Sequence, residues 1–179
     1  MYGLINESIR GLVTEQAGDA AWERIVDRSS VGFGSFAAMS YYPDEVTYAL
    51  VDAASSELDV PAHELLRRFG HYWSTRIAVE NYAEYLADRD LETVLAGLDA
   101  MHARLQALFP KLRPPSILVD PPEGPVLTVH YRSEREGLAP FVQGLLEGLG
   151  DVCDEPASVT MVEPREPGVD HDIFRVERE

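Results

Sequence analysis

Cys153 is the only cysteine in the chain. An intrachain disulfide is therefore excluded, and so is a thiolate cluster for zinc or an iron–sulfur centre. Long apolar runs are missing too: none approaches the roughly 20 residues of a membrane span. The N-terminus, MYGLINESIR, lacks the basic stretch and apolar run of a signal peptide. The reducing cytoplasm is therefore the expected compartment. Basic charge is scarce, with 15 Lys and Arg against 31 Asp and Glu and a net charge of −16. An acidic surface repels phosphate backbones and anionic lipid, so neither nucleic acid nor membrane is an expected partner. The acidic residues form no long block and read first as a solvated surface, second as a docking face for a basic partner. The chain also lacks a Gly-rich phosphate loop, a Cys/His pairing near Cys153 and a serine-nucleophile motif, so no enzyme is expected.

What is present suits one domain, residues 1–179, large enough to bury about 70% of its unfolded surface. Apolar residues at helical spacing predict a helix over Gly3 to Gln16, through Leu4, Ile5, Ile9, Leu12 and Val13. A short helix over Ala20 to Asp27 and a loop over residues 29–40 follow. Asp44 to Leu58 reads as a helix, and Pro61 as a first-turn residue of another that runs on towards Tyr85. Asp90 is a natural N-cap for the next helix, and Pro110 follows its end. After Pro110 the pattern changes. Strand-like runs appear at Ser116 to Val119, Val126 to Tyr131, Ser158 to Val162 and Asp172 to Glu177. A helix, Leu138 to Leu149, separates the second from the third, and Glu163 to His171 suits a hairpin loop. Helices first, then a small antiparallel sheet of about four strands with an inserted helix, is an α+β order.

Two features bear on chemistry. The helix after Asp90 carries Leu91, Leu95, Leu98, Leu105 and Phe109, and His102 fills the gap in that seam. Taken alone, the plainer reading of His102 is a core histidine bonded to a carbonyl. A neutral imidazole in an apolar pocket is also what a five-coordinate heme needs as axial ligand. The other histidines, His63, His71, His130 and His171, lack metal-ligand spacing and read as structural or surface residues. The second feature is Tyr131-Arg132-Ser133-Glu134-Arg135 at a strand end. Alternation puts Tyr131, Ser133 and Arg135 on one face, where a phenol, a hydroxyl and a guanidinium suit a carboxylate or phosphate. Alone it reads as an exposed strand end. Together with His102 the trio fits a cofactor with one metal and acidic tails. Glu134 and Glu136 are read as surface residues.

These pieces resemble the heme nitric oxide/oxygen-binding (H-NOX) family, in particular the heme domain of the soluble guanylate cyclase β subunit. Matching segments are Met1-Tyr2-Gly3 with Asn6, Tyr42 with Asp44, Thr47-Tyr48, Leu50-Val51, Phe69-Gly70, Leu98 to His102, Pro115-Ser116, Tyr131 to Leu138 (YRSEREGL), and Asp170-His171 with Phe174. The Tyr-x-Ser-x-Arg triplet with a histidine upstream is the specific signal. The resemblance implies heme b buried between a distal helical subregion, residues 1–60, and proximal helices and sheet, residues 61–179. It implies that His102 ligates the iron and that Tyr131, Ser133 and Arg135 hold the propionates, with Asp44 pairing the arginine. Pro115 matches the proline that presses on the porphyrin, and Ile5, Trp73 and Phe141 fall among cofactor-contacting positions.

Oxygen-binding members of that family place a tyrosine hydroxyl over bound oxygen. Here the position falls on Pro140 or Phe141, neither of which donates. The resemblance therefore implies a sensor of nitric oxide and carbon monoxide that excludes oxygen, with the indole of Trp73 as the main nearby donor and the hydroxyls of Tyr2 and Tyr72 as lesser ones. It further implies that ligand binding weakens the bond to His102 and moves its helix. No catalytic domain follows residue 179, so the expected output is a separate protein, such as a histidine kinase or a cyclic-nucleotide or dinucleotide enzyme. The alternative is a heme-free regulatory module for a small apolar ligand.

Overall fold

Helix α1 (Gly3–Ala17) buries Ile9, Leu12 and Val13, a stripe at helical spacing. Gly18, at φ 81°, ends it in the left-handed region and turns the chain into α2 (Asp19–Ser29). That helix buries Trp22 and Ile25. The indole Nε1 of Trp22 donates to the Gly34 carbonyl at 2.8 Å and so pins the following loop. Helix α3 (Asp44–Leu58) has the predicted bounds and buries Leu50, Val51 and Ala54. Helix α4 (Ala62–Tyr72) begins one residue after Pro61, whose carbonyl accepts from the Leu65 N–H at 3.0 Å.

The structure is a computed structural model that describes residues 1–164 and 170–179. The chain divides into two compact units, Met1–Phe69 and Gly70–Glu179. Among the described residues no helix is long and apolar enough to cross a membrane.

The second unit departs from the predicted continuous helix towards Tyr85. Trp73–Ala78 is π-helical, α5 (Val79–Asn81) and α6 (Ala83–Leu86) follow, and Tyr82 separates them. The cause lies in side chains that compete with the helix ladder. Ser74 Oγ donates to the Gly70 carbonyl at 3.3 Å and the Leu145 carbonyl at 2.7 Å; Thr75 Oγ1 donates to the His71 carbonyl at 2.8 Å.

Helix α7 (Leu91–Leu108) is capped by Asp90, whose side chain accepts from the Thr93 N–H at 2.7 Å. The sheet comprises β1 (Ser116–Val119), β2 (Val126–Arg132), β3 (Ala157–Glu163) and β4 (Asp172–Arg178), all antiparallel in the order β1-β2-β4-β3. Helix α8 (Ala139–Val152) is inserted between β2 and β3. One core joins Leu91, Leu95 and Leu98 of α7, Leu127 and Val129 of β2, Leu146 of α8 and Phe174 of β4. The α+β order and four-stranded antiparallel sheet agree with the sequence pattern. Residues 165–169 of the expected hairpin loop lie outside the described residues.

Candidate functional site

Helix α7 is clamped at its N-terminal half, where Leu91, Val94 and Leu95 are fully buried. His102 follows one turn after Leu98 and is half-buried. Its Nδ1 lies 2.9 Å from the Pro115 carbonyl oxygen. That oxygen only accepts, so Nδ1 carries the hydrogen and Nε2 keeps the lone pair. Burial holds the imidazole below its ordinary pKa, against the opposing pull of the Pro115 hydrogen bond and the Asp99 charge. The residue is thus a neutral imidazole, oriented by a backbone carbonyl, with Nε2 as its donor atom. A metal-ligating histidine is commonly oriented this way, and so is a core histidine bonded to a carbonyl. Asp99 Oδ1 accepts from the Ile117 N–H at 3.3 Å, a second tie between α7 and β1.

The strand carrying Tyr131 ends at Arg132, so alternation does not extend through Ser133 and Arg135 as the sequence pattern suggested. A turn gathers them instead. Ser133 Oγ accepts from the Arg135 backbone N–H at 3.1 Å, and Gly137 adopts φ 74°. Arg135 Nη1 donates to the Arg113 carbonyl at 2.6 Å. Register brings the parts together: Ile117 pairs with buried Tyr131 and Ser116 with Arg132. Pro115 and Ser133 therefore leave the ladder side by side. His102, Pro115, Tyr131, Ser133 and Arg135 converge on one end of the β1–β2 pair.

The remaining expected residues lie on other elements. Trp73 opens the π-helical segment and Phe141 stands in the first turn of α8; both are half-buried. Ile5 is half-buried on α1, and Asp44 opens α3 and accepts from the Met1 amine at 2.5 Å; both belong to the first unit. Sequence periodicity missed the π segment itself and a chain of polar contacts through His130 and His171. The alternation of β2 places His130 and Arg132 on the face opposite Tyr131, which was the available signal. Among the described residues no group of three or more His, Cys, Asp and Glu is arranged for a metal ion.

Cys153 takes no part in the site. Burial, then Glu155, Asp90 and Asp154, push its thiol up to about 11. Alkylation by iodoacetamide at pH 8 should run about 100-fold slower than that of a free cysteine peptide, because the thiolate is the nucleophile. A rate equal to the peptide's would contradict that placement.

The Haem-NO-binding family model matches residues 2–161. The chain belongs to the Haem-NO-binding family. Members of this family are heme-binding gas-sensor domains related to the heme domains of guanylate cyclases. A similar curated protein is the soluble guanylate cyclase gcy-35 of Caenorhabditis elegans, 33% identical over 151 residues, which cover 82% of this chain and 22% of that one. The chain thus spans about a fifth of the length of that relative. Among solved structures, an H-NOX protein from S. oneidensis in its Fe(II) ligation state superposes with a TM-score of 0.89 at 18% identity, covering 100% of this chain and 96% of that one. The Fe(II) unliganded H-NOX protein from K. algicida gives 0.86 at 21% identity, covering 100% and 97%. At these identities the likeness establishes the Haem-NO-binding fold.

Proposed function

We propose that this Haem-NO-binding chain senses nitric oxide and carbon monoxide through heme b, excludes oxygen, and signals to a separate partner through α7. The observation that carries the reading is the His102–Pro115 hydrogen bond, which leaves a neutral imidazole with Nε2 as donor. When bound, heme would supply a ferrous iron able to bind diatomic gases. His102 would hold that iron through Nε2. Tyr131, Ser133 and Arg135 hold the two carboxylates by charge-assisted and neutral hydrogen bonds. Pro115 would pack against the macrocycle, and Trp73 and Phe141 would contribute apolar surroundings. Two ties, His102 to Pro115 and Asp99 to Ile117, couple α7 to β1. A change in tension at His102 is thereby felt along a helix whose C-terminal residues, Leu108 among them, are exposed. A histidine kinase or a cyclic-nucleotide or dinucleotide enzyme is the expected class of partner.

Selectivity rests on the missing donor. Bound dioxygen carries partial negative charge, and a dry pocket rewards an N–H or O–H aimed at it. Pro140 and Phe141, at the start of α8, offer none. The reduced protein in air should form no stable oxygen complex, while carbon monoxide and nitric oxide bind. A persistent ferrous-oxy spectrum would refute the exclusion, and its loss in Trp73→Phe would identify the indole as donor.

Arg135→Ala should lower heme occupancy and speed heme transfer to an apo-acceptor, with iron ligation unchanged wherever heme remains. Full occupancy and an unaltered transfer rate would defeat the carboxylate-holding role.

A further inference from the structure

Five side chains outside the proposed heme contacts form one continuous polar chain at the edge of β2. Arg132 Nε donates to Asp170 Oδ2 at 2.9 Å and Nη2 to Oδ1 at 3.0 Å. Asp170 Oδ1 also accepts from His171 Nδ1 at 2.8 Å. His171 Nε2 lies 3.0 Å from His130 Nδ1, a hydrogen bond when one of the two rings carries both protons, and His130 Nε2 donates to Asp120 Oδ2 at 3.0 Å. Three separate segments are joined: β2 itself, the residues leading into β4, and the residue after β1. The Arg132 guanidinium first, and His171 second, hold the Asp170 carboxyl down at about 2.

The position of this chain gives it a task. His130 and Arg132 flank Tyr131, and side chains alternate along a strand. They face outward while Tyr131 points into the core. Tyr131 pairs in register with Asp172, next to the gripped Asp170-His171 pair. Asp170 thus holds Arg132 directly and His130 through His171, on both sides of the tyrosine. The turn through Ser133 and Arg135 starts at the very next residue. An isolated pair this exposed would add little, since Arg132 and Asp170 keep 50% and 70% of their side-chain surface in water. A bidentate fork embedded in a longer chain differs, because Asp170 and both histidines are each ordered by two partners.

We propose that Asp170 is a positioning residue for heme retention: through Arg132 and His171 it fixes the strand end that presents Tyr131, Ser133 and Arg135 to the heme carboxylates. The inference rests on the carboxylate-holding role proposed above for those three residues.

The test uses the full chain loaded with heme and follows heme transfer to excess apomyoglobin. Asp170→Asn should release heme about three- to tenfold faster, in the range of coupling between touching residues, with the ferrous spectrum unchanged. Arg132→Gln should do the same. A long-range charge effect would move these two variants in opposite directions, since one removes a negative and the other a positive charge; positioning moves both alike. In an Arg135→Ala background, Asp170→Asn should add a clearly smaller change than in the parent, because one of the three contacts it positions is gone. An unaltered rate in Asp170→Asn, opposite effects of the two variants, or a full effect persisting beside Arg135→Ala would overturn the positioning role. If Arg135→Ala alone leaves heme release unaltered, the carboxylate assignment falls, and the role of Asp170 with it.

Discussion

His102→Gly should lose heme readily during purification, with retention weakened more than about 100-fold, and should recover it when imidazole is supplied. Loss of an outer-sphere partner to a ligating histidine typically costs 10- to 100-fold in metal affinity, and here the ligand itself is removed. The Pro115 carbonyl loses its donor at the same time, so α7 is freed from one of its two ties to β1. Free imidazole restores the nitrogen donor without restoring the link to the helix. In a preparation reconstituted that way, gas binding should persist while any effect on a partner protein is lost. Ferrous spectra and ligand kinetics identical to the parent would exclude His102 as axial ligand. His102→Gly with intact signalling after imidazole rescue would exclude α7 as the output element.

Gly70→Ala should be the most damaging single methyl group in the second unit. A Cβ built there would stand 1.9 Å from the Phe141 carbonyl oxygen and 2.7 Å from the Leu145 nitrogen. Both are backbone atoms of α8, so no side chain can rotate away. A neighbouring approach is also tight: a Cβ on Gly148 would lie 2.9 Å from the His71 carbonyl oxygen. The two glycines let the α4–π segment and α8 approach closely enough for Ser74 to bridge them through the Leu145 carbonyl. Forcing them apart should cost about 3 kcal/mol, the upper part of the overpacking range. For a chain of this size that is a fall of roughly 6–12 °C in the melting temperature of the apo-protein. Gly124→Ala is the control: its φ of 64° disfavours alanine, but nothing lies within 4 Å, and only about 1–2 kcal/mol is expected. Equal melting temperatures for the Gly70 and Gly124 variants would contradict the close-packing account.

Much of this architecture was legible because local signals agreed with the tertiary result. The bounds of α3 and β1 follow from apolar spacing and flanking prolines, and Asp90 caps α7 as its chemistry suggested. The π segment was not legible. Its apolar positions continue a helical pattern, and the contacts of Gly70 and Ser74 with α8, remote in sequence, act together with the local Ser74 and Thr75 bonds to change the hydrogen bonding. The end of β2 was misread for a related reason. Strand alternation extrapolates smoothly through Ser133, whereas the hydrogen bond from the Arg135 N–H to the Ser133 side chain closes a turn there. His102 is the instructive case. A core histidine bonded to a carbonyl and an iron ligand looked like rival readings. The structure makes them compatible, because the carbonyl engages Nδ1 and thereby leaves Nε2 as the donor.

The central claim is that His102 Nε2 is the protein's bond to a ferrous heme. Resonance Raman spectroscopy of the reduced, gas-free protein, produced with natural and with ¹⁵N-labelled histidine, tests it most directly. A single iron–histidine stretching band should appear, shift to lower frequency on labelling and vanish in His102→Gly. A reduced heme protein without such a band, or one whose band survives in His102→Gly, would contradict it.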